Sequence, residues 1–492
     1  MPDRSPLHRS ALVLRTIFRT IFGTIALVVL CAAGSPVAAA TAPPRTLRVD
    51  YLHSGNAREE HFALERVVLE PLPWPGDPAK AIDDTNLGKY FFEVIDRATH
   101  RVVYSRGFSS IYGEWETTGE AATSNAAFGE SLRFPAPAAP VQVVIRKRDK
   151  ANDFRELWST VIDPGDMLVD RALPPSAGAL LPLQRSGDPV DKVDLLILGD
   201  GYTAAERGKC EGDAKRLMGL LFAVEPFASR RADFNVWGLC PAAAESGVSR
   251  PSTGFYRRSP VGATYDAFRS ERYILTFDNR AFRDVASQAP YEFVEIMTNS
   301  NTYGGGGIFG QFATVAADSE WAPYVFVHEF GHHMAALADE YYTSDVAYEP
   351  AADRTEPWEP NVTALLDPAQ LKWRDLVAAG TPLPTPWGKE AFELRSREIQ
   401  AERRKIRAER RPESEMDALF RRERDEEEAR LAAEPFAGKV GAFEGANYEA
   451  KGYFRPQVDC IMFTRDRVPF CAVCRRAIDR VIDLYAKRAP AR

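Results

Sequence analysis

The sequence predicts an α+β protein. An N-terminal β-sandwich over residues 41–165 is followed by a linker over 166–190 and a larger domain of mixed helix and strand over 191–487. Three observations carry that expectation. The first domain alternates apolar and polar side chains between recurring turn residues. A stretch rich in proline and alanine follows it, from Leu173 to Pro189. Beyond that lies an apolar helical segment bearing a cluster of histidine, glutamate and aspartate near residue 330.

Taken in chain order, the N-terminus reads as an export signal over residues 1–40. Arg4, His8, Arg9, Arg15 and Arg19 precede an apolar run from Thr20 to Ala33, and Val37-Ala38-Ala39-Ala40 supplies small residues for cleavage. The run is about 14 residues, short of the roughly 20 that span a bilayer, so no stable membrane span is expected. The mature chain is expected to begin near Ala40 or Thr41 and to be secreted, to the periplasm or beyond. With 492 residues, 45% of them hydrophobic and 27% charged, there is material for more than one core. The net charge of −7 is modest, and no basic stripe interleaves with aromatics, so no nucleic-acid partner is expected.

In the first domain Tyr90–Ile95 and Arg101–Ser105 read as strands flanking the turn residues Asp96–His100, and Val141–Ile145 reads as another. Asp163-Pro164-Gly165 opens the linker.

Residues 325–342 hold the most informative pattern. His328 and His332 are four apart, which places both imidazoles on one helix face, within reach of one metal ion at about 2.0–2.1 Å. Glu329 is offset by about 100°, beside the open metal position, where it can take a proton from water. This is the H-E-x-x-H zinc-hydrolase signature. Pro323, behind Asp318, Ser319 and Glu320, marks the helix start. His333 points off the ligand face, and His8, His53, His61 and His100 all precede the second domain. The third ligand is therefore expected to be a carboxylate, Asp339 or Glu340, and the chain must turn back after about Ala336 for either to reach the metal.

The stretch resembles the IgA-peptidase family of metallopeptidases, metzincin-like enzymes whose helix reads H-E-F-G-H-x-x-x-G-L-x-D-E-Y. His328-Glu329-Phe330-Gly331-His332, Leu337, Asp339, Glu340 and Tyr341 match, while Ala336 stands where the family has its turning glycine. Further matches are Leu195 to Thr203, Phe234-Asn235-Val236, Glu245-Ser246-Gly247, Asn299 with Tyr303 and Gly304 to Gly307, Lys372-Trp373, Phe443 to Ala446, Arg455-Pro456, Cys460-Ile461-Met462 and Phe470 to Cys474. The resemblance implies a mixed sheet, an active-site helix and a methionine turn at Met462. It further implies Asp339 as third ligand of a Zn2+ ion, Glu340 and Tyr341 as supports behind the ligands, and Gly304, Gly305, Gly306 and Gly307 as an edge strand that aligns a peptide or protein substrate. It also implies an N-terminal domain of the kind that accompanies this family.

Export would place Cys210, Cys240, Cys460, Cys471 and Cys474 in an oxidising compartment. Disulfides are expected there: Cys460 with Cys471 or Cys474, bracing the methionine turn, and Cys210 with Cys240. A second zinc at the three C-terminal cysteines lacks a fourth ligand at matching sequence spacing. Residues 388–434, dense in Glu and Arg with sparse Phe392, Leu394, Ile399, Ile406, Met416, Leu419 and Phe420, read as a charged helical hairpin with a solvated face, broken at Arg411-Pro412. Asn361-Val362-Thr363 has the form of a glycosylation site. The function expected is that of a secreted zinc endopeptidase. The alternatives are a non-catalytic surface module with a structural metal, and a different zinc hydrolase such as an amidase.

Overall fold

The computed structural model describes residues 43–344, 346–348 and 354–487. The expected export signal lies outside the described residues. The N-terminal half contains β1 (Arg45–Gly55), β2 (Glu60–Pro73), β3 (Tyr90–Asp96), β4 (Val102–Phe108), the short helix α1 (Ile111–Trp115), β5 (Ala126–Pro135), β6 (Val141–Arg148) and β7 (Phe154–Ile162). They form two antiparallel sheets, ordered β2-β1-β5 and β4-β3-β6-β7. Alternate residues point inward from each sheet: Leu47, Val49, Tyr51, Leu132 and Phe134 from one meet Tyr90, Phe92, Val94, Val143 and Ile145 from the other in a single core. The β-sandwich read from the alternation is thus present. Its β3–β4 hairpin closes at the expected turn, where the Thr99 amide and hydroxyl donate to the Asp96 carboxylate at 2.8 and 2.6 Å.

The second half is built on a six-stranded mixed sheet. Its elements are β8 (Leu181–Gln184), β9 (Val193–Asp200), α2 (Arg207–Leu221), β10 (Phe234–Leu239), the two-residue pair β11 (Ala263–Thr264) and β12 (Leu275–Thr276), α3 (Asn279–Ala286), β13 (Phe293–Thr298), β14 (Gly305–Ile308), β15 (Phe312–Ala316) and α4 (Ala322–Ala335). The sheet runs β14-β15-β13-β9-β10-β8, parallel through its middle, with β14 and β8 antiparallel at the edges. β8 arises within the segment read as linker. β9 is buried on both faces. Its residues Leu195 and Ile197 enter the core with α2 and α4, whereas Leu196 and Leu198 enter the core that contains Phe282 of α3. The expected Cys210–Cys240 bridge is formed, joining α2 to the end of β10.

The chain ends with α5 (Lys389–Ala408), α6 (Glu413–Ala432), the hairpin β16 (Phe443–Ala446) and β17 (Glu449–Arg455), and α7 (Ala472–Tyr485). The charged segment forms the expected helical hairpin, broken between α5 and α6 beside Pro412. It is also docked: Phe392, Ile399, Ile406, Met416, Leu419 and Phe420 are buried in the core shared with α2 and α4, and only Leu394 of the apolar set is exposed. The sandwich is tied to the second half as well, through Arg48 to Asp284 of α3 at 2.7 Å and the Ser109 amide to the Phe309 carbonyl at 2.9 Å.

Helix α4 ends where the ligand spacing requires. Ala336 adopts φ 54°, ψ 33°, a left-handed turn that costs an alanine roughly 1–2 kcal/mol. Its amide donates to the His332 carbonyl at 3.1 Å and that of Leu337 to the Gly331 carbonyl at 3.3 Å. Glycine would relieve the strain but lose the buried methyl and gain unfolded-state entropy. Ala336→Gly should therefore leave stability within about 1 kcal/mol of the parent, while Ala336→Val, β-branched at positive φ, should cost about 1–3 kcal/mol more. Denaturant unfolding of the three proteins measures the order.

Candidate active site

Helix α4 lies against β14 and β15 with its polar face toward a cavity of ≈ 170 Å³. The approach of β14 is possible because it is glycine-rich: a Cβ at Gly305 would lie 2.4 Å from Val325 Cγ1, and one at Gly307 would lie 2.5 Å from the Glu329 carbonyl. Gly331 in α4 is similarly constrained, since its Cβ would meet Phe470 at 3.1 Å and the Met462 sulfur at 3.2 Å.

The two α4 histidines converge. His328 Nε2 and His332 Nε2 are 3.1 Å apart, and they lie 3.0 and 3.2 Å from Asp339 Oδ1. A tetrahedral ion with ligands at about 2.0–2.1 Å has edges of roughly 3.3–3.4 Å, so these three atoms fit a single metal. The other ring nitrogens face acceptors. His328 Nδ1–H donates to the Ile461 carbonyl at 2.9 Å and His332 Nδ1–H to the Leu337 carbonyl at 2.5 Å, which leaves both Nε2 atoms directed at the centre for a metal to take up. Burial works to lower His332, yet Asp339 lifts it to about 9, and the two imidazoles hold Asp339 well below the usual carboxylate range against burial. A carboxylate oxygen of Glu329 falls within 4.8 Å of the histidine nitrogens. Its carboxyl is raised by burial, an effect that His328 and His332 oppose. His333 stands apart from the ligands. Its Nδ1–H donates to the Ile308 carbonyl and its Nε2 accepts the Val294 amide, both at 3.1 Å, and burial pushes its pKa down to about 3.

The adjacent acids diverge. Asp339 faces the histidines, whereas Glu340 points the other way, among Cys460, Cys471 and Cys474. Burial, then Cys460, raises the Glu340 carboxyl well above the ordinary range. Met462 is fully buried beside Gly331, and its carbonyl accepts the Glu340 amide at 2.8 Å. Tyr341 lies near His328 in a stacked arrangement, with ring centroids 6.4 Å apart, and its hydroxyl accepts from Arg272 at 3.1 Å.

Gly304, Gly305 and Gly306 are buried and Gly307 is half-buried; Gly305, Gly306 and Gly307 line the cavity, and the edge of β14 bridges to Tyr273 at Gly305. One expectation needs correction. Cys460 is not bonded to Cys471 or Cys474. All three are free, Cys460 Sγ lies 3.9 Å from Cys474 Sγ, and Glu340 is a fourth member of their cluster. Asn361 is no glycosylation acceptor, since its buried amide accepts from the Ala338 amide at 2.8 Å and donates to the Ala338 carbonyl and to Glu340 at 2.9 and 3.0 Å.

Sequence reasoning missed several groups. The Tyr448 hydroxyl donates to Asp339 Oδ2 at 2.5 Å. Arg272, Tyr273 and Tyr348 line the cavity, as do Ser109 and Glu114 from the sandwich half. Glu295 of β13 is fully buried with neither carboxylate oxygen hydrogen-bonded, and burial, then Glu329, raises it well above the ordinary range. None of these stands at a fixed offset from H-E-x-x-H, and only the fold brings them near.

Two imidazoles and a carboxylate meeting at one point, with a glutamate beside them on a cavity wall, define a hydrolase site of the metal-dependent class. Residues 181–482 match the family described as IgA Peptidase M64, and residues 40–159 match the Peptidase M64 N-terminus. The chain belongs to the IgA peptidase M64 family and is a peptidase. No curated protein matches it.

Tyr448 orients Asp339 without contacting the imidazole nitrogens. Tyr448→Phe should lower metal affinity by about 10- to 100-fold while leaving the fold intact. Competition with a chromophoric chelator, alongside circular dichroism, measures both.

Proposed function

We propose that this chain is a secreted, zinc-dependent endopeptidase in which Glu329 is the general base. The observation that supports the reading best is the pair of Nδ1 contacts to the Ile461 and Leu337 carbonyls, which turn both Nε2 atoms toward the one point they share with Asp339 Oδ1. Imidazole and carboxylate donors in this number suit zinc, and a bound zinc would polarise a water and the scissile carbonyl. Glu329, raised by burial and lying beside His328 and His332, accepts the proton of the attacking water and returns it to the departing amine. The Arg272 guanidinium lines the same cavity and donates toward negative charge that develops on the carbonyl oxygen. Gly307 offers the exposed part of β14 to an extended peptide.

Export accords with the bonded Cys210–Cys240 pair, since disulfides persist in oxidising compartments. Among the described residues no helix is long and apolar enough to cross a membrane. Intact mass of the protein from an expressing culture should show a start near residue 40 or 41 with Cys210 and Cys240 linked. Retention of the apolar segment would remove the secretion reading.

The base assignment has a direct test. Glu329→Ala should keep near-stoichiometric zinc and lose several orders of magnitude in kcat/KM on a casein or peptide-library substrate. Loss of zinc together with activity would make Glu329 a ligand instead.

A further inference from the structure

The cluster of Cys460, Cys471, Cys474 and Glu340 is not used by the chemistry above, and each of its members is buried. The four ligand atoms lie within 4.8 Å of one another. Cys460 Sγ is 3.9 Å from Cys474 Sγ, and Cys474 Sγ is 3.4 Å from Glu340 Oε1. A tetrahedral zinc with sulfur at about 2.3 Å and oxygen at about 2.0–2.2 Å has S···S edges of roughly 3.8 Å and S···O edges of roughly 3.5 Å. The Cys460–Cys474 and Cys474–Glu340 separations match those edges.

Three further features favour a cation. Glu340 Oε2 is buried with no hydrogen-bond partner, and the buried Arg455 guanidinium acts on this carboxyl only through its charge. Two backbone amides donate to sulfur, Cys471 to Cys460 Sγ at 3.2 Å and Cys474 to Cys471 Sγ at 3.4 Å, as suits thiolates. Cys471 caps the N-terminus of α7 and Cys474 lies in its first turn, where the helix dipole favours negative charge. A disulfide between any two of the cysteines would leave the third thiol and the buried carboxylate without this use.

We propose that Glu340, Cys460, Cys471 and Cys474 bind a second, structural zinc ion, separate from the catalytic one. This site joins three segments that the active site needs. Glu340 follows Asp339 directly. Cys460 precedes Ile461, whose carbonyl orients His328, and Met462, whose carbonyl holds the Glu340 amide. The remaining two ligands begin α7. The closed ligand set leaves no position for water, so the ion positions the catalytic loop and takes no part in the chemistry.

The full-length exported protein should contain two zinc equivalents by inductively coupled plasma mass spectrometry. The His328→Ala/His332→Ala double variant should retain one, and its cobalt-substituted form should show a thiolate-to-cobalt charge-transfer band. Cys471→Ser/Cys474→Ser should lose that band, and its thermal unfolding should no longer respond to zinc at the second site. If the cysteine variant fails to fold, the band in the cobalt form of the unsubstituted protein gives the same reading. Absence of the band there, or no zinc in the double histidine variant, would overturn the proposal. So would a disulfide from Cys460 to Cys471 or Cys474 in peptide mapping. None of these results depends on peptidase activity, so a failure here is distinguishable from a failure of the zinc–Glu329 reading.

Discussion

The catalytic geometry depends on the chain leaving α4 at Ala336. A helix advances 1.5 Å per residue, so an uninterrupted one would carry residue 339 more than 16 Å, on the order of three turns, beyond His328. The left-handed residue reverses the chain instead, and several consequences follow within five residues. The Leu337 carbonyl falls back onto His332 Nδ1, Ala338 is clamped on both its backbone groups by Asn361, and Asp339 reaches both Nε2 atoms. Past the turn the side chains of Asp339 and Glu340 diverge, the first to His328 and His332 and the second to Cys460, Cys471 and Cys474.

The second determinant is burial. Asp339 and both histidines sit in a poorly solvated pocket, where Coulomb terms are several-fold stronger than in water. The carboxylate therefore stays ionised despite its burial, and it is further held by Tyr448. Glu295 behaves in the opposite way. Among the described residues neither of its oxygens has a hydrogen-bond partner, and its burial and the nearby Glu329 favour the protonated form. An uncharged acid there spares Glu329 a second negative charge close by. The carboxyls of this region thus divide by partner and not by residue type.

The sequence exposed the parts of this protein that are periodic or local. Strand alternation in residues 41–165 gave the sandwich, the spacing of His328 and His332 gave the ligand face, and the need for a chain reversal fell on the residue that adopts it. The parts that escaped depend on long-range packing. Tyr448 is 109 positions from Asp339, and the Ile461 carbonyl is 133 from His328. No local pattern encodes such pairs. The cysteines were misread for the same reason: their fourth partner lies 134 positions from Cys474, so spacing alone favoured a disulfide. The glycine segment was legible as an edge strand, but its cover by Tyr273 comes from a loop with no periodic signal. Similarly, Asn361 has the sequence form of a surface acceptor but is buried, with its amide bonded to Ala338 and Glu340.

The sandwich half is more than an appendage on these grounds. Its α1 helix is capped by Ser110, whose hydroxyl accepts the Gly113 amide at 2.7 Å, and this fixes the turn that carries Glu114 into the catalytic cavity. Burial raises Glu114, while Lys89 opposes that shift. Glu114 and Glu329 thus line the same cavity, the first from the sandwich half and the second from α4. The cavity wall is therefore assembled from both halves. Its shape depends on the Ser109–Phe309 and Arg48–Asp284 contacts that hold the halves together. In physical terms, α4 and the Asp339 turn bring the imidazoles and the carboxylate together, and the sandwich supplies part of the wall around them.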